Sequence, residues 1–323
     1  MKPKVIGIGE VLIDFVATEP VSYVEAETFK KCFGGAPMNT IVGVARLGVN
    51  AGAITAVADD LFGQFLVKEL EKNGVDVSHV KVKKNTRTTL AFVANEPETG
   101  ERTFMFYRRP WVSGTSDSTL SIQDIDFDYI SDASILHVSG FALSQKPSRE
   151  AILGAVEHAK KVGVRVSFDP TLRVDVWNSE RTLRRLYAQM LKFSDITTFS
   201  REEATFIFRT KDMEKAAQSA LKYGIEIVGI KLGSDGALVK TKEGQRLYVP
   251  AFPVKAVDTT GAGDAWNAGL LVGLCKDWDL NKCVTVANAI GALTVTKLGA
   301  ITALPYREEL NRFLMERGVS FEV

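Results

Sequence analysis

The run Asp258-Thr259-Thr260-Gly261-Ala262-Gly263-Asp264-Ala265-Trp266-Asn267-Ala268-Gly269 has residue types suited to holding a phosphate. Gly261 and Gly263 bracket the start of an apolar stretch with helical spacing. The first turn of a helix has free backbone N–H groups at the positive end of its dipole, so it attracts anions. Small residues let the backbone come close to such a ligand. Asp264 falls in that first turn. A carboxylate there serves as an ordinary helix cap; beside a bound phosphate it can also take the proton of an attacking hydroxyl. A second run, Phe33-Gly34-Gly35-Ala36-Pro37-Met38-Asn39, stands before another helical pattern. Its paired glycines open the backbone to a ligand, and Asn39 carries both donors and an acceptor, as a polyol requires. Taken alone, this run reads as a turn with proline in the first turn of a helix.

Two glycine pairs imitate dinucleotide motifs and do not complete them. In Gly7-Ile8-Gly9-Glu10, Leu12 stands where GxGxxG has its third glycine, and Trp266 stands there after Gly261-Ala262-Gly263. No GxxxxGK[ST] occurs. Nicotinamide and P-loop readings are therefore weak.

These residues must be positioned by strands and helices that the hydrophobic pattern locates. Residues 5–8 and 52–57 read as buried strands, and 38–47 and 61–72 as helices. That alternation is the rhythm of a parallel sheet with helical crossovers. It breaks at 88–94 and 102–107, two strand-like runs joined by the polar, turn-rich residues 95–101, which predicts an antiparallel hairpin. Residues 12–18 make a third run of the same kind, so a small sheet standing off the main one is expected. The alternation then resumes. Strands are predicted at 134–138, 164–168, 195–199 and 225–232, helices at 148–161, 179–192 and 213–223, and a hairpin at 237–249. The last third reads as helical at 262–275, 280–296 and 307–317.

Composition limits the function classes. A chain of 323 residues suits one large domain with a small appendage. Forty Lys+Arg against 39 Asp+Glu gives a formal charge of +1, with no basic excess for nucleic acid. Three cysteines, Cys32, Cys275 and Cys283, with no CxxC, make neither a disulfide framework nor a zinc site. Glu10 and Asp14 interrupt the first apolar run, so it is neither a signal peptide nor a span. No later stretch reaches the roughly 18 apolar residues a membrane helix needs. A cytoplasmic enzyme is expected, with no nucleic-acid or membrane partner.

The two glycine motifs together resemble the PfkB (ribokinase-like) carbohydrate kinase family, and the likeness runs from Val5 to about Leu304. The resemblance implies one doubly wound, mostly parallel α/β domain flanked by helices over residues 1–323, with a small β-sheet lid from about 11–32 and 86–112. It implies an ATP- and Mg²⁺-dependent phosphotransferase acting on a sugar hydroxyl, and a homodimer formed through the lid. By matching positions, Asp264 is the base, and the N–H groups of Ala262, Gly263 and Asp264, opened by Gly261, form the anion hole. Asp14, Gly34, Gly35 and Asn39 hold the sugar, with Arg173 as a phosphate contact. Ser200, Lys231, Gly233, Gly236, Gly261, Gly263 and Asn288 line the nucleotide side. Glu203 keeps the acid that organises Mg²⁺ through water, while Ser200 and Thr171 stand where the family commonly has Asn. Some relatives use K⁺; Asp258 and the carbonyls of Thr260 and Gly299 match that loop, and Ala303 lacks a ligand there.

Among family members the chain looks most like fructokinase. Gly34-Gly35-Ala36-Pro37-Met38-Asn39, Ser200 to Glu203, Phe106-Tyr107-Arg108 and His137-Val138-Ser139-Gly140 carry that likeness, with Tyr107 and Arg108 as expected sugar contacts. The alternative is 2-keto-3-deoxygluconate kinase, because Arg108 or Arg109 would grip a substrate carboxylate in bidentate fashion. From another class, a non-catalytic sugar-binding regulator on the same fold is opposed by the intact Asp264.

Overall fold

Val-Ile-Gly-Ile at residues 5–8 is buried along its whole length, as a strand covered on both faces must be. The computed structural model, which describes residues 2–95, 102–108 and 110–323, places it inside a nine-stranded sheet. In chain order the strands are β1 (Val5–Ile8), β2 (Leu12–Ala17), β3 (Phe29–Gly34), β4 (Ala51–Ala58), β5 (Val80–Lys83), β6 (Leu90–Asn95), β7 (Arg102–Tyr107), β8 (Ile135–Ser139), β9 (Arg165–Asp169), β10 (Ile196–Ser200), β11 (Ile227–Lys231), β12 (Ala237–Thr241) and β13 (Arg246–Val249). The large sheet runs β13-β12-β11-β10-β9-β8-β1-β4-β5. From β5 to β11 every pairing is parallel, and β12 alone runs against its neighbours. The doubly wound reading therefore holds.

Successive residues of a strand face opposite sides, and the core divides accordingly. Val5 and Ile135 join one apolar cluster with Met38, Ile41 and Leu270; Ile6 and Leu136 join another with Ile152, Leu183 and Phe199. In the first cluster the helix Ala36–Arg46 packs tightly on the helix Ala262–Cys275. A Cβ added at Gly43 would sit 2.6 Å from the Cβ of Ala268. That close approach brings the two glycine motifs together.

The small sheet has the order β3-β2-β6-β7. The β6–β7 pairing is antiparallel as expected, and its connection at 96–101 lies outside the described residues. Two details differ from the sequence reading. The 12–18 run lies inside the sheet and pairs with β6 in parallel, and β3 adds a fourth strand on its far side. β3 carries Lys30 and Lys31 in an exposed first half, and β5 reads Val-Lys-Val-Lys at the sheet edge. Edge strands of this kind lack the continuous apolar run that reveals a buried one.

The chain leaves β1 toward β4 and β5, then returns to β8 on the other side of β1. This reversal opens a crevice at the carboxyl ends of the strands, where ligands of open α/β sheets bind. Glu10, Ser139, Asp169, Ser200 and Lys231 all stand at or just past those ends.

Candidate active site

Asn39 and Asp264 are 225 positions apart, yet the Asn39 Nδ2 donates to Asp264 Oδ2 at 2.8 Å. Asn39 is buried, and its Oδ1 has no partner among the described residues. Asp14, on β2, lies beneath the same crevice. A Cβ at Gly34 would run into its Oδ2, so glycine makes room for that carboxylate. Gly35 takes φ 112°, with the Glu10 carbonyl 2.5 Å from where a Cβ would be, a place closed to any other residue. Burial and then the charge of Asp264 raise the Asp14 carboxyl to about 7. Burial likewise raises Asp264 to about 7, against the Asn39 hydrogen bond that favours its ionised form. The Arg173 guanidinium offsets part of both shifts; it rests 4.5 Å above the Phe104 ring of the lid and donates to the Leu172 carbonyl.

Gly261, at φ 77°, turns the chain into the Ala262–Cys275 helix. The Ala262 N–H bends back to the Thr259 carbonyl at 3.2 Å, and Ala265 is the first to bond along the helix, to Gly261. Among the described residues, the N–H groups of Gly263 and Asp264 have no protein acceptor, so two donors of the expected anion hole are free and the third, Ala262, is engaged. The Lys231 Nζ lies 3.2 Å from where a Gly263 Cβ would be. It also pairs with Asp169 Oδ2 at 2.7 Å, which Asn267 approaches from the other side at 2.6 Å. Burial opposes ionisation of both partners, but their mutual attraction holds Asp169 well below the usual carboxylate range and Lys231 above its ordinary value. Thr171 then folds back on Asp169 Oδ1 at φ 42°, a conformation costly for a β-branched residue.

Other expected residues are placed differently. Tyr107 falls on the opposite face of the lid sheet from Asp14: the register opposes Asp14, Ala91 and Phe106, so Phe106 shares the Asp14 face and Tyr107 packs on Phe92 of the other. Arg108 is fully buried, paired with Asp117 at 2.5 Å and Ser144 at 2.6 Å over the Phe141 ring. It is an internal ion pair rather than an open clamp. Arg109 lies outside the described residues. Asn288 accepts from Trp266 Nε1 and donates to the Val249 and Pro250 carbonyls, which engages its N–H donors within the protein. Ser200 caps the helix Arg201–Phe208 in a reciprocal box with Glu203. Glu203 is buried, with one oxygen on the Ser200 N–H and the other on the Leu172 N–H; burial and nearby Asp169 raise its pKa. Gly233 and Gly236 shape the turn that follows Lys231.

Asp258 is the expected K⁺ ligand. Its Oδ1 accepts from the Thr260 N–H and hydroxyl, its Oδ2 accepts from the Gly299 N–H, and Arg102 lies 3.5 Å from Oδ1. A metal ion at Oδ1 would share it with two donors and a guanidinium, so that oxygen does not suit K⁺. No group of three or more acidic, His or Cys side chains among the described residues makes a metal cage.

Sequence reasoning missed Glu10, Asp169 as the partner of Lys231, and Arg102. Glu10 Oε1 accepts from the Ala36 N–H and Ser139 hydroxyl, which ties the glycine loop to β8, and burial raises its carboxyl to about 8. An acid within two residues of the end of a predicted parallel strand was the available signal for both Glu10 and Asp169.

The arrangement joins a carboxyl group raised to about 7, a buried Asn and a second buried Asp, two free N–H groups and an ammonium. It can deprotonate an alcohol beside a phosphate. No helix among the described residues is long and apolar enough to cross a membrane. Residues 2–307 match the model of the pfkB family of carbohydrate kinases. The chain is 37% identical to a probable chloroplastic fructokinase-6 of Arabidopsis thaliana, over 97% of this chain and 83% of that protein. It is 34% identical to a 5-dehydro-2-deoxygluconokinase of Clostridium tetani, over 97% of this chain and 93% of the other. A double mutant of the Vibrio cholerae fructokinase, solved with fructose, ADP and potassium ion, superposes with a TM-score of 0.85 at 33% identity, covering 97% of this chain and 98% of that one.

Proposed function

The chain belongs to the pfkB family of carbohydrate kinases, and from that premise we propose that it transfers the γ-phosphoryl group of ATP to a hydroxyl of fructose. The observation that carries the neutral sugar over a sugar acid is the state of Arg108. Its guanidinium is buried against Asp117, so one of the two lid arginines expected to grip a substrate carboxylate is already neutralised. Around the crevice stand Asp14 and Asp264, carboxyl groups that suit the hydroxyls of a neutral sugar.

In this reading Asp14, Asn39 and the backbone at Gly34 and Gly35 hold the sugar hydroxyls, and the unpartnered Asn39 Oδ1 takes one of their protons in a hydrogen bond. The attacking hydroxyl loses its proton to Asp264 as its oxygen bonds to phosphorus and the bond to the ADP oxygen breaks. The Gly263 and Asp264 N–H groups and Lys231 face the charge on the moving phosphoryl group, and Arg173 faces it from the lid side. Bound Mg²⁺ would supply further neutralisation of the ATP phosphates, with Glu203 the candidate to order its water. The protein is proposed to work in the cytoplasm, with its three thiols unpaired, and as a dimer through the lid, where Met105 and Tyr107 are exposed. A monomer mass by light scattering would remove the dimer.

A coupled ADP-release assay tests the substrate with fructose, 2-keto-3-deoxygluconate, 5-dehydro-2-deoxygluconate, ribose, myo-inositol and nucleosides. Turnover on fructose above the others supports the proposal. Preference for either sugar acid overturns it and transfers the carboxylate to Arg173.

A further inference from the structure

Arg102 belongs to the lid, and Asp258 belongs to the loop that leads into the Gly261–Asp264 turn. The lid register puts Arg102 on the same face as Phe104, Phe106 and Asp14. That face sits on the loop around Leu298, which packs with Val16, Cys32, Val93 and Phe104. Gly299, next in that loop, donates to Asp258. Three segments therefore meet at one carboxylate whose side chain is 0% exposed, and Arg102 is the cation paired with it among the described residues.

A long side chain at the end of a lid strand has an easy route to water. Arg102 does not take it. Its side chain is 13% exposed and, among the described residues, its Nη1 is buried without an acceptor. A dry, unpartnered donor is unfavourable, and what holds it inward is the charge of Asp258, itself fully removed from water. A buried carboxylate without a counter-charge would be more unfavourable still.

We propose that Arg102 is the built-in counter-cation of Asp258, delivered by the lid, and that this chain therefore needs no K⁺ at that carboxylate. Asp258 in turn holds the Thr260 N–H and hydroxyl, one residue before the glycine that opens the helix, so the guanidinium positions the turn that presents the free N–H groups. Arg102 is thus a positioning residue that links lid closure to the anion-binding turn. The link to catalysis rests on the proposed reading of that turn; the ion pair and its salt response do not.

The test is thermal unfolding of the full chain in KCl and in choline chloride at equal ionic strength, for the wild type, Arg102→Met and Arg102→Lys. The wild type and Arg102→Lys should unfold at the same temperature in both salts. Arg102→Met should fall by about 4 °C in choline chloride and recover roughly half of that in KCl, a shift of the size expected when a site in the folded state gains a ligand. A purely structural arginine would give a loss that no salt repairs, and that result overturns the proposal. So does specific stabilisation of the wild type by K⁺, a comparison that stands even where Arg102→Met fails to fold. None of these readings needs sugar turnover, so a wrong substrate leaves them intact, and failure here leaves the substrate proposal standing.

Discussion

At the scale of single residues, function and stability pull in opposite directions at Asp264. Its carboxyl is raised from an ordinary 3.8 to about 7, chiefly by burial. A folded-state value above the unfolded one means that the folded chain holds the proton more tightly. The associated stability is complete below about pH 4 and is lost as pH rises through about 7. Asp264→Asn keeps an acceptor for Asn39 and removes the buried charge. It should raise the unfolding temperature by roughly 2–4 °C at pH 8, with a smaller gain at pH 5. The same change should lower kcat by about 10²–10⁴-fold, the usual contribution of a general base. A variant with near-full activity would remove Asp264 from the mechanism. Because the proposed base works ionised, kcat/KM for the wild type should fall on the acid side with a midpoint near 7. A flat profile between pH 6 and 8 would count against that assignment.

At the scale of elements, two turns carry conformations that their neighbours enforce. Gly261 opens the Ala262–Cys275 helix at φ 77°, and a Cβ there would lie 2.6 Å from that of Ala300. Gly261→Ala should cost about 1–3 kcal/mol in urea unfolding and reduce kcat more than it raises the KM for sugar, because the two free N–H groups move with the turn. A change in KM alone would separate this turn from the transition state. Thr171 sits at φ 42° in the Asp169 turn, in a region that Asn tolerates and β-branched residues resist. Thr171→Asn should stabilise the protein by about 1 kcal/mol, read as a higher urea midpoint at unchanged slope. An unchanged or lower midpoint would show that the threonine hydroxyl bond to Asp169 outweighs the strain.

At the scale of the whole molecule, the site exists only between two sheets. The large sheet supplies Glu10, Asp169 and Lys231, the lid supplies Asp14 and Arg102, and the helix Ala262–Cys275 supplies Asp264. A ligand that bridges these parts stabilises the assembly as a unit. Fructose at about 100 times its Kd should add roughly 2.7 kcal/mol to the folded state, seen as a rise of several degrees in unfolding temperature. No shift with fructose, alone or with Mg-ATP, would argue that another acceptor fills the cleft.

What the amino-acid sequence determined by itself was local and periodic. The strand and helix rhythm, the glycine-opened start of the Ala262–Cys275 helix and the Gly34-Gly35 opening were legible, because each depends on residues within a few positions of one another. Family-level chemistry was legible from the same two motifs. Tertiary structure decided the rest. Whether Tyr107 faces the sugar depended on strand register, where a one-residue step exchanges the faces of the sheet. Whether Arg108 is a clamp or an ion pair depended on Asp117 being folded against it. The Asn288 amide was claimed by Trp266 and two carbonyls across a helix boundary. The charge beside Asp258 came from a strand more than 150 positions away. Charges and hydrogen-bond donors act through space, over a few ångströms, and nothing in the order of the residues records which distant partner will occupy that distance.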